Sequence, residues 1–326
     1  MLRVASGLAV LFVSFSGLSF KAGAADDPWQ MLEKTAYAAR ELNYEGQFIY
    51  QNGNQVRTVQ ITHMNNGGRE MTRNMVLDDK PREVYSQGSD IVIFQPRNHK
   101  VMIEKRRGQN LFPAMLPTNL TLIKSSYTAR LGAADYVAGR QAQIIELVPN
   151  DAFRYTYKIW ADIEFGLLLK MTLLNSQNET LEQIYFNQLS MLNSQDPNWF
   201  QPKIDVSKNY VMEEAPTITR VTDDWIVAQL PTGYRKIDHM QRAVPGKVGL
   251  VNQVIFSDGI ASVSLFIEPI TKGKRPKMGH MLMGSTNICA NVIDGHQIIV
   301  VGEVPAETVR QIAKAVTFKK QAAANK

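Results

Sequence analysis

The chain has 326 residues, 36 Lys and Arg against 30 Asp and Glu, 44% hydrophobic residues and one cysteine. This length predicts about two domains, at roughly 100 to 200 residues per domain, and the composition excludes disordered, collagenous and disulfide-scaffold classes. The lone Cys289 excludes an intramolecular disulfide, a multi-cysteine zinc site and a CxxC redox pair.

The first 24 residues have the pattern of a secretory signal peptide. Arg3 precedes an apolar run centred on Leu8 to Phe15, and the small residues Ala22-Gly23-Ala24 precede a polar sequence. Serines and Lys21 interrupt the run, which is shorter than the ~20 apolar residues of a spanning helix. We therefore expect cleavage after Ala24 and a secreted, soluble protein. No cysteine follows the run, so lipid attachment there is excluded.

A helix followed by many short strands is predicted for the first half of the mature chain. Asp27 is a candidate N-cap and Pro28 fits the first helical position. From Tyr44 to about Leu189, β-rich runs separated by turn residues predict a meandering antiparallel sheet curled towards a barrel. The candidate strands are Gly46 to Gln51, Val56 to His63, Arg82 to Tyr85, Ile91 to Gln95, Val101 to Lys105, Gln141 to Val148, Tyr155 to Asp162, Leu167 to Leu174 and Leu181 to Leu189.

Two less regular segments interrupt this pattern. Residues 108–132 contain Pro113 and Pro117 and are predicted to be a long excursion across the mouth of the sheet, with room for a helix. Residues 196–216 are polar and proline-containing, which predicts a linker between a first domain, 25–195, and a second, 217–320. Residues 321–326 are expected to be a frayed tail.

The second half is predicted to be a smaller α+β domain that carries the excess positive charge. Residues 216–326 hold 14 basic and 8 acidic side chains, whereas residues 25–215 hold 20 and 22. A closing helix is predicted to start at Pro305. The candidate strands are Ile218 to Val221, Ile226 to Leu230, Leu250 to Ser257, Ala261 to Glu268 and Gln297 to Gly302.

The motifs of the common enzyme classes are missing from the sequence. The five histidines have no paired-ligand spacing, and there is no HExxH, GxSxG, GxxxxGK[ST] or GxGxxG pattern. Cys289 has no adjacent base, and a buried inert thiol explains it more simply than a nucleophile. We therefore expect a protein that is not an enzyme and needs no metal or cofactor.

Methionine-rich and apolar positions around the mouth segment suggest a cavity for an acyl chain or an apolar peptide. Flexible thioethers suit core gaps and adaptable binding surfaces alike, so ordinary core packing is the alternative at each position. The candidate lining residues are Phe94, Met102, Leu111, Phe112, Met115 and Leu116.

Stretches spread over the whole mature chain resemble the RseB/MucB family. They occur in order, so chance similarity of a single motif is a poor explanation. The matching stretches are Tyr44 to Gln51, Pro81 to Val84, Tyr155 to Asp162, Gly166 to Lys170, Phe256 to Pro269, Gly284 to Asn287 and Val300 to Pro305.

The resemblance implies a periplasmic regulator of a sigma-E type envelope-stress response. The first domain would be an unclosed barrel like that of periplasmic lipoprotein carriers, and the second a smaller α+β domain. The protein would bind the periplasmic region of a membrane-spanning anti-sigma factor of the RseA/MucA type and shield it from the site-1 protease. Lipopolysaccharide or mislocalised lipoproteins would release it, and the free protein would be a dimer or larger.

Basic residues at two places are candidates for recognising these ligands. Arg97, Lys100, Lys105, Arg106 and Arg107 flank the mouth segment and could meet lipid phosphates, although a solvated charged hairpin is the simpler alternative. Partner binding is expected at a basic loop with apolar residues nearby, for which ordinary sheet packing is the alternative: Lys272, Lys274, Arg275, Lys277, Phe256, Phe266 and Ile267.

Two other functions stay open. A lipid or lipoprotein carrier of the same half-barrel class would deliver cargo to an acceptor instead of holding a protein partner. A hydrolase with a spatially assembled site would need a buried polar residue that the sequence does not point out.

Overall fold

The computed structural model describes residues 27–77, 81–88, 90–105, 111–205, 207–214, 225–243, 250–271, 273 and 275–318. The predicted signal peptide, the strand at Ile218 to Val221 and the predicted tail lie outside these residues. In this part of the chain no helix combines the length and apolar character that a membrane crossing requires.

The predicted first helix is confirmed as α1, Pro28–Glu41. The Asp27 carboxylate accepts a hydrogen bond from the Trp29 backbone N–H at 3.0 Å, which satisfies one of the free amides at the helix start. Leu32 and Ala36 lie on the buried face, as the helical spacing of apolar residues predicts. The helix thereby packs its apolar stripe against the first sheet.

Twelve described strands form one large sheet. Their order across the sheet is β12-β6-β5-β4-β3-β2-β1-β11-β10-β9-β8-β7, and all neighbours are antiparallel except β12 and β6. The sheet ends at β7 and β12, so it is not closed, which confirms the predicted half-open antiparallel architecture. The strands are β1 Tyr44–Asn52, β2 Gln55–Asn66, β3 Arg69–Val76, β4 Arg82–Gln87, β5 Asp90–Gln95, β6 Lys100–Lys105, β7 Tyr127–Val137, β8 Arg140–Pro149, β9 Thr156–Asp162, β10 Leu168–Leu174, β11 Thr180–Met191 and β12 Val211–Glu214.

Strands β3, β7 and β12 of this sheet are absent from the sequence-based prediction, which assigned the residues of β12 to the linker. Strand β3 buries Met71, but its sequence has no clear apolar alternation because four of its residues are charged or amide side chains: Arg69, Glu70, Arg73 and Asn74. Strand β7 is mostly exposed, so it has little alternation to detect. The predicted excursion over residues 108–132 does contain a short helix, α2, Thr121–Ser126, but a strand follows it directly.

The first core lies between α1, one face of the large sheet and residues 111–120 of the mouth segment, which was predicted over residues 108–132. Phe112 of that segment packs its ring 5.0 Å from Phe48 and 4.9 Å from Phe186, measured between ring centroids. Leu116 and Leu120 are buried in the same cluster. The mouth segment is therefore held to the sheet by large apolar side chains.

A second, smaller sheet and a helix form the predicted α+β domain. The order across the sheet is β14-β15-β16-β19-β18-β17, and the two short strands β13 and β20 pair beside it. The predicted closing helix is confirmed as α3, Ala306–Ala315, which packs against β18 and β19. The strands are β13 Trp225–Val227, β14 Arg235–Ala243, β15 Leu250–Ser257, β16 Ser262–Pro269, β17 Gly279–Met283, β18 Thr286–Ile293, β19 His296–Gly302 and β20 Val316–Phe318.

Part of the predicted linker packs on the first sheet. A 3₁₀ turn, Pro197–Phe200, buries Phe200 against Met64 and Met71. The Trp199 indole N–H donates to the Thr62 hydroxyl at 3.1 Å. Strand β12 then joins the same sheet beside β6. The domain boundaries themselves stay a prediction.

Candidate functional site

A cavity of about 450 Å³ lies between the concave face of the large sheet and the second domain. Its first-domain wall consists of apolar side chains of β9, β10 and β11 and of two residues of the mouth segment. Its second-domain wall comes from the β15–β16 turn, the start of β16, the first residue of β18 and the last residues of β19. The apolar wall residues are Leu111, Met115, Tyr157, Met171, Leu173 and Ile184.

The opposite wall of the cavity is more polar and is made largely of small residues. It includes Ser257, Gly259, Ser262 and Ser264 beside the apolar Ile260 and Val301. A chain-like apolar ligand could bury its methylenes against the first wall, since such pockets combine apolar surface with a few polar groups. The cavity thus suits an amphiphile better than a fully polar molecule.

Two carboxyl groups, Glu182 of β11 and Glu303 after β19, face this cavity. Glu182 accepts a hydrogen bond from the Ser285 hydroxyl at 2.9 Å, and burial raises its pKa above the ordinary value. Glu303 is exposed to solvent within the cavity, but its carboxyl lies among atoms of the cavity walls, which leaves it incompletely hydrated. This loss of hydration, and then repulsion from Glu182, raises the pKa of Glu303 to about 7. The cavity therefore holds two carboxyl groups that keep their protons to a higher pH than ordinary ones do.

The two domains are joined by a buried ion pair beside this cavity. Arg154, in the loop between β8 and β9, donates from Nε to Oδ2 of Asp258 at 2.8 Å, and both side chains are fully buried. The Tyr127 hydroxyl donates to the same oxygen at 3.2 Å. Backbone N–H groups of Ile260 and Ala261 donate to Oδ1 of Asp258 at 3.1 and 2.8 Å. The carboxylate therefore has partners in both domains.

Further hydrogen bonds of Arg154 complete this junction. Its two terminal nitrogens donate to the Asp151 carboxylate and to the Thr232 carbonyl. The Thr308 hydroxyl of α3 donates to the Phe153 carbonyl at 2.8 Å. Because every charged atom of the pair has a partner, the desolvation of both ions is offset locally.

A second contact between the domains is made by the tip of the β17–β18 hairpin. The Asn52 amide donates to the Ser285 hydroxyl at 2.9 Å, and Ser285 in turn donates to Glu182. Gly284 has φ +59°, and a Cβ there would lie 2.1 Å from Oδ1 of Asn52. Any other residue would be strained at this φ and would push the Asn52 side chain out of its contact with Ser285.

The residues predicted to bind lipid lie in three places. Leu111 and Met115 line the cavity, while Phe112 and Leu116 belong to the first core. The others are at the far end of the large sheet, several strands away from the cavity: Phe94 is buried beside Tyr85 and Val101, Met102 is half-buried on β6, Arg97 is exposed and Lys100 half-buried. The side chains of Lys105, Arg106 and Arg107 lie outside the described residues.

The residues predicted to bind a protein partner are also separated. Phe256 and Ile267 are buried in the second core and Phe266 is half-buried on β16. Arg275 and Lys277 are exposed just before β17. Lys272 and Lys274 lie outside the described residues. The apolar members thus pack within the sheet, and the two described cations are on the surface.

Sequence reasoning did not single out the residues that join the domains. Arg154 and Asp258 are 104 positions apart, and only the fold brings them together. The Ser257-Asp258-Gly259 turn was the available signal, since it interrupts an apolar stretch between two strands. Over the described ranges no cluster of three His, Cys, Asp or Glu side chains could hold a metal ion.

Comparison with known proteins gives a consistent result for both domains. The model described as the MucB/RseB N-terminal domain matches residues 27–204, and that of the MucB/RseB C-terminal domain matches residues 219–317. The sigma-E factor regulatory protein RseB of Salmonella typhimurium is 25% identical over 307 residues, covering 93% of this chain and 95% of the relative. The sigma factor AlgU regulatory protein MucB of Pseudomonas aeruginosa is 27% identical over 329 residues, covering 98% and 99%.

Solved structures show the same two-domain fold. The Pseudomonas aeruginosa MucA/MucB complex contains a chain with a TM-score of 0.73 and 25% identity, covering 91% of this chain and all of that one. A crystal structure of MucB in complex with MucA(peri) has a TM-score of 0.72 at 25% identity, covering 90% and 100%. With both domain models matched in order along the chain, the protein belongs to the MucB/RseB family.

Proposed function

We propose that this protein is a periplasmic regulator that binds the periplasmic region of a transmembrane anti-sigma factor and protects it from site-1 proteolysis. The observation that carries the proposal is the likeness, over 91% of the chain, to a MucB structure solved together with MucA. With 91% of the chain covered, that likeness includes both domains. Family membership over residues 27–204 and 219–317 supports the same function.

Release of the partner would be driven by an amphiphile in the cavity between the domains. Its walls come from both domains, so an occupant contacts both and can bias their arrangement. Moving an equilibrium from 1:99 to 99:1 takes about 5.5 kcal/mol of differential affinity. At roughly 0.8 kcal/mol per buried CH₂, about seven methylenes that are buried only in the releasing state would supply it.

The charge of the cavity restricts which part of a lipid could enter. Glu182 and Glu303 face the interior and none of the described lining residues is Lys or Arg, so the cavity offers phosphate no cation. The phosphates of lipopolysaccharide would therefore stay outside while its acyl chains enter. Lipoprotein acyl chains carry no phosphate and meet no such restriction. Acyl-chain burial is therefore the shared chemistry of both signals.

Light-scattering mass measurement of the mature protein tests the partner directly. Mixing it with the purified periplasmic fragment of the anti-sigma factor of the same organism should give a complex of defined stoichiometry. A dissociation constant of about 1 μM corresponds to a binding free energy of about −8 kcal/mol, which is ample for a specific regulator. A mixture that elutes as two separate species at about 10 μM would overturn the proposal.

A lipid or lipoprotein carrier is the second candidate, and the cavity is the observation that favours it. A carrier would transfer a fluorescent lipid to acceptor vesicles and leave cleavage of the anti-sigma fragment unchanged. A regulator would bind the lipid, transfer little of it and slow the cleavage.

A further inference from the structure

Strand β17 is an uncovered, methionine-rich edge of the second sheet. Its exposed fractions are 52% for Met281, 59% for Leu282 and 60% for Met283, and the preceding Met278 is 70% exposed. In the described sheet β17 pairs with β18 on one side and is the last strand in the order. Because side chains alternate along a strand, apolar groups are exposed on both of its faces. Proteins normally protect such edges, so this one has the character of a binding surface.

The backbone of β17 offers hydrogen-bonding groups along the free edge. Met283 pairs with Thr286 around the two-residue loop Gly284-Ser285, so this pair closes the hairpin ladder. In an antiparallel pair the inward and outward peptide groups alternate. The N–H and C=O of Met281 therefore face β18, and those of His280 and Leu282 face the free edge.

Hydrogen bonds fix the chain on both sides of the strand. At its start, the Gln297 side chain accepts from the Lys277 N–H at 2.6 Å and donates to the Lys277 carbonyl at 2.8 Å. At its end, Ser285 is bound to Glu182 and Asn52 of the first domain. A partner that pairs with this edge therefore meets a strand that is already ordered, which lowers the entropic cost of binding.

Charge indicates what kind of chain would pair there. Arg275 and Lys277 are exposed immediately before the strand. Residues 273–293 contain no Asp or Glu, so a second copy of this hairpin would bring no carboxylate to these cations. An apolar segment with an acidic residue at one end complements the surface better than the hairpin itself does.

We propose that β17 binds an extended segment of a protein partner by strand addition, with apolar side chains against Met281, Leu282 and Met283 and an acidic side chain near Arg275 and Lys277. The proposal rests on the proposed function, because the partner it names is the periplasmic region of the anti-sigma factor. Main-chain hydrogen bonds would supply affinity, and the methionine surface would adapt to the partner's side chains.

Substitutions at the edge test this pairing on the full mature protein. Leu282→Pro removes an outward N–H and leaves the ladder to β18 intact. The double variant Met281→Asp/Met283→Asp replaces apolar contacts by charges that repel an acidic segment. Both positions are exposed, so the fold should tolerate the change. Both should weaken binding of the anti-sigma fragment by roughly tenfold or more. Tyr37→Asp, on an exposed position of α1, is the control and should bind like wild type.

Amide exchange measured by NMR gives an independent readout. Saturation with the fragment should slow exchange of the His280 and Leu282 amides by roughly tenfold or more, whereas those of Met281 and Met283, already paired with β18, should change less. Equal affinity for all variants with unchanged exchange would overturn the edge proposal and leave the proposed function standing. Failure of the wild-type protein to bind the fragment would overturn both.

Two other occupants would also overturn the proposal. If the edge variants dissociate an oligomer of the free protein but keep their affinity for the fragment, the edge is a contact between copies. If the edge variants lose binding to phosphatidylglycerol vesicles but keep their affinity for the fragment, the edge is a membrane contact.

Discussion

Arg154 of the first domain and Asp258 of the second form an ion pair with no solvent exposure, with Nε 2.8 Å from Oδ2. The pair lies beside the cavity, whose walls also come from both domains. A buried pair that is fully hydrogen-bonded costs little to keep and much to break. Its geometry therefore fixes how the two cavity walls face each other.

Removing one member of this pair should destabilise the protein strongly. We expect Arg154→Ala to lower the free energy of unfolding by about 3–5 kcal/mol, because the Asp258 charge is left buried and unpaired. Arg310→Ala breaks an exposed ion pair with Glu307 and should change the free energy of unfolding by less than about 1 kcal/mol. Urea unfolding measures both, and equal effects would contradict the role of the buried pair.

The acidic pair in the cavity should make stability depend on pH. The pKa of Glu303 is about 7 in the folded protein, above its ordinary 4.5, so the folded state binds this proton more tightly than the unfolded state. Its contribution to stability is present below about pH 4.5 and is lost as pH rises to about 7.

Replacing this carboxyl by an amide should remove that dependence. Glu303→Gln should melt above wild type at about pH 8, and the difference should shrink towards about pH 5. Glu307→Gln, on the exposed surface of α3, is the control. Thermal melting across this range checks the prediction, and a difference that does not vary with pH would contradict it.

The packing of the mouth segment on the sheet should depend on Phe112 and not on its neighbour Leu111. Phe112→Ala should cost about 3–5 kcal/mol, because its ring packs between Phe48 and Phe186. The neighbouring Leu111 is 53% exposed, and Leu111→Ala should cost less than about 1 kcal/mol. Denaturant unfolding of the two variants separates them, and similar costs would show that the segment is anchored elsewhere.

Two methionines predicted to bind lipid should behave differently. Met115 lines the cavity, whereas Met102 lies on β6, far from it. Met115→Asp should therefore weaken binding of a fluorescent fatty acid roughly tenfold, and Met102→Asp should leave it unchanged. Fluorescence titration measures this after melting curves show that both variants are folded. A loss confined to Met102→Asp would place the ligand at the far end of the sheet.

Local patterns in the sequence predicted the elements that have clear periodicity or capping. Asp27 and Pro28 mark the start of α1, and alternating apolar residues mark most strands of the large sheet. Strand β7 was missed because it is largely exposed. In the second domain the prediction missed β14, β17, β18 and β20. Strand β17 was missed because Met281, Leu282 and Met283 are apolar in succession, without the alternation of a half-buried strand.

The cavity and the contacts between domains could not be predicted in the same way. Leu111 and Met115 were chosen for their apolar character, but the fold alone separates them from Phe112 and Leu116, which have the same character and pack in the core. Glu182 and Glu303 are 121 positions apart and meet only because both sheets close on one cavity. Pairings of this kind depend on long-range topology, which a local pattern does not encode.

The rate at which the site-1 protease cleaves the periplasmic anti-sigma fragment tests the central claim most directly. With saturating protein the rate should fall at least roughly tenfold, and an acyl amphiphile that fills the cavity should restore it. The Tyr37→Asp protein should protect like wild type. Cleavage that proceeds at the same rate with and without saturating protein would contradict the claim.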